Sequence, residues 1–450
     1  MKKILYIAAI LVCLSMPAFS QEILWSMDDC MKYAVENSPK VKKAYYREDN
    51  YKADHLAALG SFLPTIGTDV GIQYNYGRSI NPETNTYNNT STFNNSYALS
   101  TSAPLFAGGR IVNNWKLAKV NNLLGKQESR LAEDELAINT MQAYIDAVYY
   151  RENAKLAAET LEESRLLLHK TKLMEELGLR GKADVAEIEA QVAANDYNLT
   201  HQENQYNIAI LTLKEIMNYD AYIPLALDTT ITSPDYVIAD EQADAIYAYA
   251  SENNPLIQQA SLTLKASQLQ QLIEKGRVLP TISLYAGVST NYFENLTASG
   301  DPASFHSQFK NNRGEYFGIS FSLTIFNGFN RTASIRKARN NMNIALEQMN
   351  ETKRQLQISI EKAVADRNGF LKEIVQVEKQ VNANYIVYVQ SMRKYEEGLV
   401  DPLDLQLNTN KLIESKIILL QKKLMHIAAT KQVEYYRGYP IINEKLKIKN

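Results

Sequence analysis

Cysteine, tryptophan and histidine are all scarce in this chain of 450 residues, with two, two and five copies. The cysteines are Cys13 and Cys30, and Cys13 lies in an apolar leader. Once that leader is removed a single thiol remains, which excludes an intramolecular disulfide. His55, His169, His201, His306 and His426 are scattered without metal-ligand spacing, and no cofactor or metal is expected. No glycine-rich phosphate loop follows a strand and no nucleophile elbow occurs, so nothing points to an enzyme. Neither sign of charge dominates: the formal net charge is -2, and no basic stripe or lysine-rich tail suits nucleic acid. Beyond the leader there is no apolar run of the roughly 18 to 20 residues that a membrane helix needs. What stands out is tyrosine, with 28 copies.

The N-terminus carries an address. Lys2 and Lys3 precede the apolar run Ile4 to Leu14, and small residues at alternate positions close with Pro17, Ala18, Phe19 and Ser20. This pattern predicts a secretory signal peptide over residues 1-20 and a mature chain starting near Gln21. Cys13 follows the bulky Val12 inside the apolar run, where a lipoprotein signal needs a small residue. The protein is expected to be exported without a helical anchor.

The chain repeats itself. Leu63-Pro64-Thr65-Ile66 recurs as Leu279-Pro280-Thr281-Ile282, and the same offset carries Pro39 onto Pro255. A slightly longer offset carries Phe106-Ala107-Gly108 onto Phe326-Asn327-Gly328, Gly178-Leu179 onto Gly398-Leu399 and Asp184 onto Asp404. An ordered series of this kind indicates internal duplication. The first unit is expected at 21-219 and the second at 241-436, with a linker over 220-240 and a tail over 437-450.

Each unit changes period within itself. Ile66, Thr68, Val70, Ile72, Tyr74 and Tyr76 alternate with Gly67, Asp69, Gly71, Gln73 and Asn75. That is a strand with one apolar and one polar or small face. The pattern predicts four strands, about 64-76, 96-106, 280-292 and 315-326, each long enough to cross a bilayer when tilted. Tyr74, Tyr76, Phe93, Tyr97, Tyr292, Phe293, Tyr316 and Phe317 gather at the turn ends, and Phe62, Phe106, Phe326 and Phe329 at the other ends. Membrane interfaces select aromatics at both rims of an apolar band. The turns, Gly77 to Asn95 and Glu294 to Gly314, are rich in Asn, Ser, Thr and Gly and suit solvent-facing loops.

Outside the hairpins the chain reads as helix. Residues 111-177 and 332-397 contain no proline and are dominated by strong helix formers. Each run, about 66 residues, would be roughly 100 Å long as one helix. Such a helix needs neighbours along its whole length, as in a coiled-coil tube. The fold class is therefore mainly α with a membrane β part, built on a two-fold repeat. Four strands cannot close a membrane barrel, which needs about eight. An open sheet edge in lipid leaves amides unpaired. Several chains must share one barrel.

This order of elements resembles the TolC-type outer-membrane efflux protein family over nearly all of the mature chain. The resemblance implies a homotrimer in the outer membrane, its twelve-stranded barrel continued by a tube of helices in the periplasm. It also implies passive export of substrates delivered by an inner-membrane pump and a periplasmic adaptor protein. A rival reading is a non-transporting, periplasm-spanning spacer; the small residues Gly67, Gly71, Ser100, Ser102, Gly287 and Ser320 on the inner face speak for an open lumen instead. An adaptor would need compact β-domains beside one helical hairpin, which the repeat does not offer.

The resemblance directs attention to two short segments, Gly178 to Asp184 and Gly398 to Asp404. By plain helix chemistry Gly178 and Gly398 end one helix, while Asp401, Asp184 and Asp404 favour the start of the next. The resemblance implies more: Gly178, Leu179, Gly398 and Leu399 match an adaptor-docking segment. Asp404 matches a carboxylate that rings the narrowest opening, where like charges brought together repel and attract cations. Tyr395 belongs to the same candidate gate. Val400 stands where better-studied members carry an arginine latch, and Leu407 replaces a second gate aspartate. Arg180 and Lys182 are expected to pair with Asp401 or Asp404 instead.

Overall fold

The computed structural model describes residues 24–80, 85–230, 242–297 and 303–442. The leader, the second half of the expected linker and the last residues of the tail lie outside that range. The first half contains α1 (Met27–Asn37), α2 (Pro39–Gly60), β1 (Thr65–Ile80), β2 (Tyr87–Ala107), α3 (Arg110–Glu176) and α4 (Lys182–Met217). The second contains α5 (Ala243–Asn253), α6 (Pro255–Gly276), β3 (Thr281–Asn295), α7 (Phe305–Asn311), β4 (Gly314–Ser322), α8 (Asn330–Glu396) and α9 (Pro402–Tyr436). The duplication is visible in the lengths. α1 and α5 have 11 residues each, α2 and α6 have 22, and α3 and α8 have 67. Among the described residues no helix is long and apolar enough to cross a membrane.

The chain divides into two compact units, each built from both halves. The hairpin-bearing unit takes Tyr45–Glu128 and Pro255–Lys353. Its four strands form one antiparallel sheet in the order β1-β2-β3-β4, so β2 and β3 join the two repeats and β1 and β4 are the edges. Register places Ile66, Thr101, Ala286 and Phe317 side by side on one face. That face is largely apolar, half-buried on the inner strands and open on the edge strands, where Ile66 is 74% exposed and Phe317 75%. The opposite face carries Gly67, Ser100, Gly287 and Tyr316 in matching register. There Tyr285 faces Gly318 and Tyr316 faces Gly287 across the β3–β4 ladder. Each ring lies so close that a Cβ on the opposing glycine would sit 2.6 or 2.5 Å from it.

The strands differ from the sequence reading at their ends. β1 and β2 continue into the segment read as a loop, pairing as far as Ile80 with Tyr87. β4 is shorter than its alternation suggests and stops at Ser322, because β3 begins at Thr281 and offers Leu323 to Phe326 no partner. The turn after β3 contains α7, a helix too short for a periodic pattern to mark. Both strand-to-long-helix turns use two successive left-handed residues, Gly108 with Gly109 and Gly328 with Phe329.

The helical unit takes residues up to Ala44, Ser129–Asn254 and Arg354 onward. Its core gathers Cys30, Met31, Ala34 and Val41 with the Leu136–Val148 stretch of α3, Leu213 and Met217 of α4, and Leu225 and Leu227. α1 starts with a capping box: Ser26 Oγ accepts from Asp29 N–H, and the Asp29 carboxylate accepts from Ser26 N–H, both at 3.2 Å. Trp25, Tyr33 and Tyr219 pack edge to face around it. The segment after α4 is pinned to this core. Trp25 bridges Leu227, the Tyr144 hydroxyl donates to Asp228 O, and Arg151 donates to Leu227 O at 2.6 Å. Burial pushes the Cys30 thiol up to about 12, so it is inert.

Candidate functional site: the two helical tips

Both tips lie in the helical unit, where α3 turns into α4 and α8 into α9. α3 ends with Gly178 at φ +73°, a conformation glycine adopts without steric cost. Gly178 N–H then donates to Glu175 O at 2.9 Å and Leu179 N–H to Met174 O at 2.8 Å. This is the Schellman arrangement, which satisfies the last carbonyls of the helix. The second tip repeats it with Gly398 at φ +74°. Leu179 and Leu399, which follow the glycines, are 65% and 69% exposed.

The helices that follow start differently. α9 begins at Pro402 behind Asp401, whose Oδ1 accepts from Asp404 N–H at 2.9 Å. α4 begins behind Gly181, which has no side chain to cap with; Asp184 reaches back instead and accepts from Gly181 N–H at 3.3 Å. Asp401 is therefore occupied as a cap, while Asp404 is exposed.

Arg180 joins the two tips, though not as expected. Its side chain is only 9% exposed, and Nη2 donates to Tyr395 O at 2.9 Å and Val400 O at 2.8 Å. The guanidinium lies 4.5 Å from the Tyr395 ring centre, a cation–π contact. Among the described residues its one carboxylate partner is Asp184, at 3.8 Å, rather than Asp401 or Asp404. The reason is local: Tyr395 is in the last turn of α8, where the dipole favours a cation, and its carbonyl, which already accepts from Gly398 N–H at 3.0 Å, has a second lone pair for Arg180. Lys182 is exposed, and among the described residues neither it nor Asp404 makes an ion pair within 4.0 Å.

Tyr395 is the hub of this arrangement. It is 1% exposed, and its hydroxyl is 2.8 Å from Thr171 Oγ1, which itself donates to Leu167 O. Lys170 pairs with Glu396 at 2.7 Å and Lys172 with Glu189 at 2.6 Å, but all four are about half exposed and add little. Further along α8, Tyr388 donates to Glu163 at 3.2 Å. Burial and that carboxylate push the Tyr388 hydroxyl up to about 12, so it stays a donor. Thr171 and Glu163 carry no signal in sequence, because a lone threonine or glutamate in a helix marks nothing by itself.

The geometry is that of two reinforced turns presenting leucines and a carboxylate. The outer membrane efflux protein model matches residues 31–219 and 246–421. The chain belongs to that family. The match falls in two segments, one in each half of the duplicated chain. No curated protein matches by sequence. Among solved structures, CusC, described in terms of transmembrane channel formation, superposes with TM-score 0.79 at 16% identity, over 95% of this chain and 96% of that one. The outer membrane protein VceC of Vibrio cholerae gives 0.79 at 15%, over 92% and 96%. The CmeC outer membrane channel of Campylobacter jejuni gives 0.78 at 16%, over 92% and 85%. At these identities the likeness is one of fold. As an outer membrane efflux protein, this chain is placed in the outer membrane by its family, and its apolar sheet face is the part fitted to lipid.

Proposed function

We propose that three copies of this outer membrane efflux protein form a passive duct fed by an inner-membrane pump through a periplasmic adaptor. One observation carries the reading: a four-stranded sheet with one largely apolar face and, among the described residues, two edges with no strand beside them. In lipid such edges must be paired, and a barrel is the only closed sheet available. Four strands per chain make twelve for three chains, the number the family resemblance implies. The long helices give independent support. Ile344 and Ile358 on α8 are 61% and 53% exposed, and Ile208 and Leu211 on α4 are 57% and 53%. Apolar faces of this kind call for neighbouring helices.

In the assembled tube the tips are the entry. Gly178, Leu179, Gly398 and Leu399 dock the adaptor, with the two exposed leucines as contacts. Asp404, one per chain, rings the opening and favours cations until the tips move apart. Arg180, held on Tyr395, sets how firmly each pair of tips stays together. The test is the mass of the detergent-purified protein, followed by conductance in planar bilayers. A trimer is expected, with conductance that rises in Arg180→Ala and loses cation preference in Asp404→Ala. A monomer, or a trimer whose conductance ignores both changes, overturns the reading.

A further inference from the structure

The two hairpins of the sheet are unequal at their turn ends. β1 has 16 residues and β4 has nine. The ladder between β3 and β4 ends at Ser289 with Gly314, while β3 itself runs on to Asn295. Among the described residues, the last part of β3 thus has no strand beside it on that edge. Side chains from α7 and the residue just after it take the place of one. Gln308 Oε1 accepts from Phe293 N–H at 3.0 Å, and Gln308 Nε2 donates to Phe293 O at 2.9 Å. Asn312 Nδ2 donates to Asn291 O at 2.8 Å. A single carboxamide thereby satisfies both main-chain groups of one residue, as a strand rung would.

α7 also continues a row of rings. On the apolar face Tyr76, Tyr74, Phe93 and Tyr292 follow one another across β1, β2 and β3, with centres 6.3, 4.7 and 6.0 Å apart. β4 has no residue at that level, and the row passes to α7 instead. Phe305 lies 5.6 Å from Tyr292, and Phe309 lies 5.4 Å from Tyr97. Phe305 and Phe309 are still nearly half exposed, so one side of α7 is uncovered.

We propose that α7 is a seam element between subunits, packing against the turn-side end of the next subunit's β1. The proposal rests on the shared barrel argued above. In that barrel β4 pairs with the β1 of a second copy. Laid antiparallel with their helix-side ends flush, Ser322 meets Thr65 and Gly314 meets Gln73. The neighbour's Tyr74–Ile80 then run past the end of β4, into the gap that α7 fills. The exposed rings of α7 meet the neighbour's Tyr74 and Tyr76, and the aromatic row closes around the barrel. An unfilled gap would leave a stretch of β1 edge unpaired near the membrane interface.

The experiment uses the full-length protein in detergent, with Lys310→Cys combined in turn with Tyr74→Cys, Tyr76→Cys and Arg78→Cys. The native Cys30 is buried and does not compete. Oxidation is expected to give covalent dimers and trimers with at least one combination, and none with any single substitution. A photoreactive phenylalanine analogue at His306, which keeps β1 intact, is expected to label a β1 peptide of the neighbouring chain. A protein that is trimeric by mass yet gives neither product overturns the seam while leaving the duct standing. A monomeric mass overturns the duct, and the seam with it.

Discussion

At the first tip the two Schellman hydrogen bonds measure 2.8 and 2.9 Å; at the second they measure 2.8 and 3.0 Å. The backbones are copies, and the side chains on them have parted. The first tip supplies a cation, Arg180, and starts its next helix from a bare glycine. The second offers carbonyls to that cation and starts its next helix from Asp401 and Pro402. A duplicated turn keeps its geometry because glycine in the left-handed region leaves little else possible. Its surface is free to diverge, and here the divergence makes two unlike halves of one fastening. The hairpins tell the same story: β1 and β2 pair to their ends, whereas β3 outruns β4 and needs α7 beside it.

The comparison breaks most visibly at the turns into the long helices. A Cβ on Gly108 would lie 2.1 Å from Gly276 O, whereas nothing closer than 4.0 Å approaches Gly328. Gly108→Ala is expected to cost roughly 3–5 kcal/mol, the range of severe single substitutions. Gly328→Ala meets only the left-handed backbone penalty of about 1–2 kcal/mol. Denaturant titration of both variants in detergent checks the ratio, and equal costs would refute it. Next in size, Arg180→Ala is expected to lose about 2–3 kcal/mol, because two carbonyls lose a charged donor. The matching change on the other tip, Val400→Ala, leaves Val400 O in place and is expected to stay within about 0.5 kcal/mol. Hydrogen exchange at the end of α8 reads the difference directly. Where the backbones agree, so should the costs: Gly178→Ala and Gly398→Ala are each expected to lose about 1–2 kcal/mol, and unequal losses would show that the tips are not equivalent.

The smallest effect concerns pH. Asp134 accepts from the Tyr435 hydroxyl at 3.0 Å, and burial raises its carboxyl above the ordinary carboxylate range of about 3.9. A raised folded value means that the contribution is complete below the ordinary value and is lost as pH rises through the folded one. Asp134→Asn keeps an acceptor for Tyr435 and removes that loss. Its melting temperature is expected to fall less than that of the unaltered protein between acid and neutral pH.

The strands, the long helices and the repeat were legible because each rests on a periodic pattern carried over many residues. Alternation from Ile66 to Tyr76 marks a strand wherever its partners lie, and proline-free runs of helix formers mark α3 and α8. The tips were legible as turns from glycine alone. What could not be read depends on partners distant in sequence. Arg180 binds residues of the other repeat, and its choice of carbonyls over Asp401 follows from that aspartate's prior duty as a cap. α7 is seven residues long inside a segment of turn formers. Its support comes from Ser304, which caps it, and from β3 and β2, on which Gln308, Phe305 and Phe309 rest. The early start of β2 at Tyr87 has the same origin, since its Asn- and Thr-rich stretch is strand only opposite β1.

The glycines under Tyr285 and Tyr316 bear on how the hairpin finds its alignment. A slip of one residue between β3 and β4 sends every side chain to the wrong face, which the apolar side of the sheet forbids. A slip of two keeps the faces and would otherwise pass unnoticed. One such slip sets Tyr285 opposite Tyr316 and Gly287 opposite Gly314, ring against ring beside an empty place. Only the native alignment gives each ring a glycine to lie on. The paired vacancies act as a proofreading mark for the strand that must then present its other edge, correctly spaced, to another molecule.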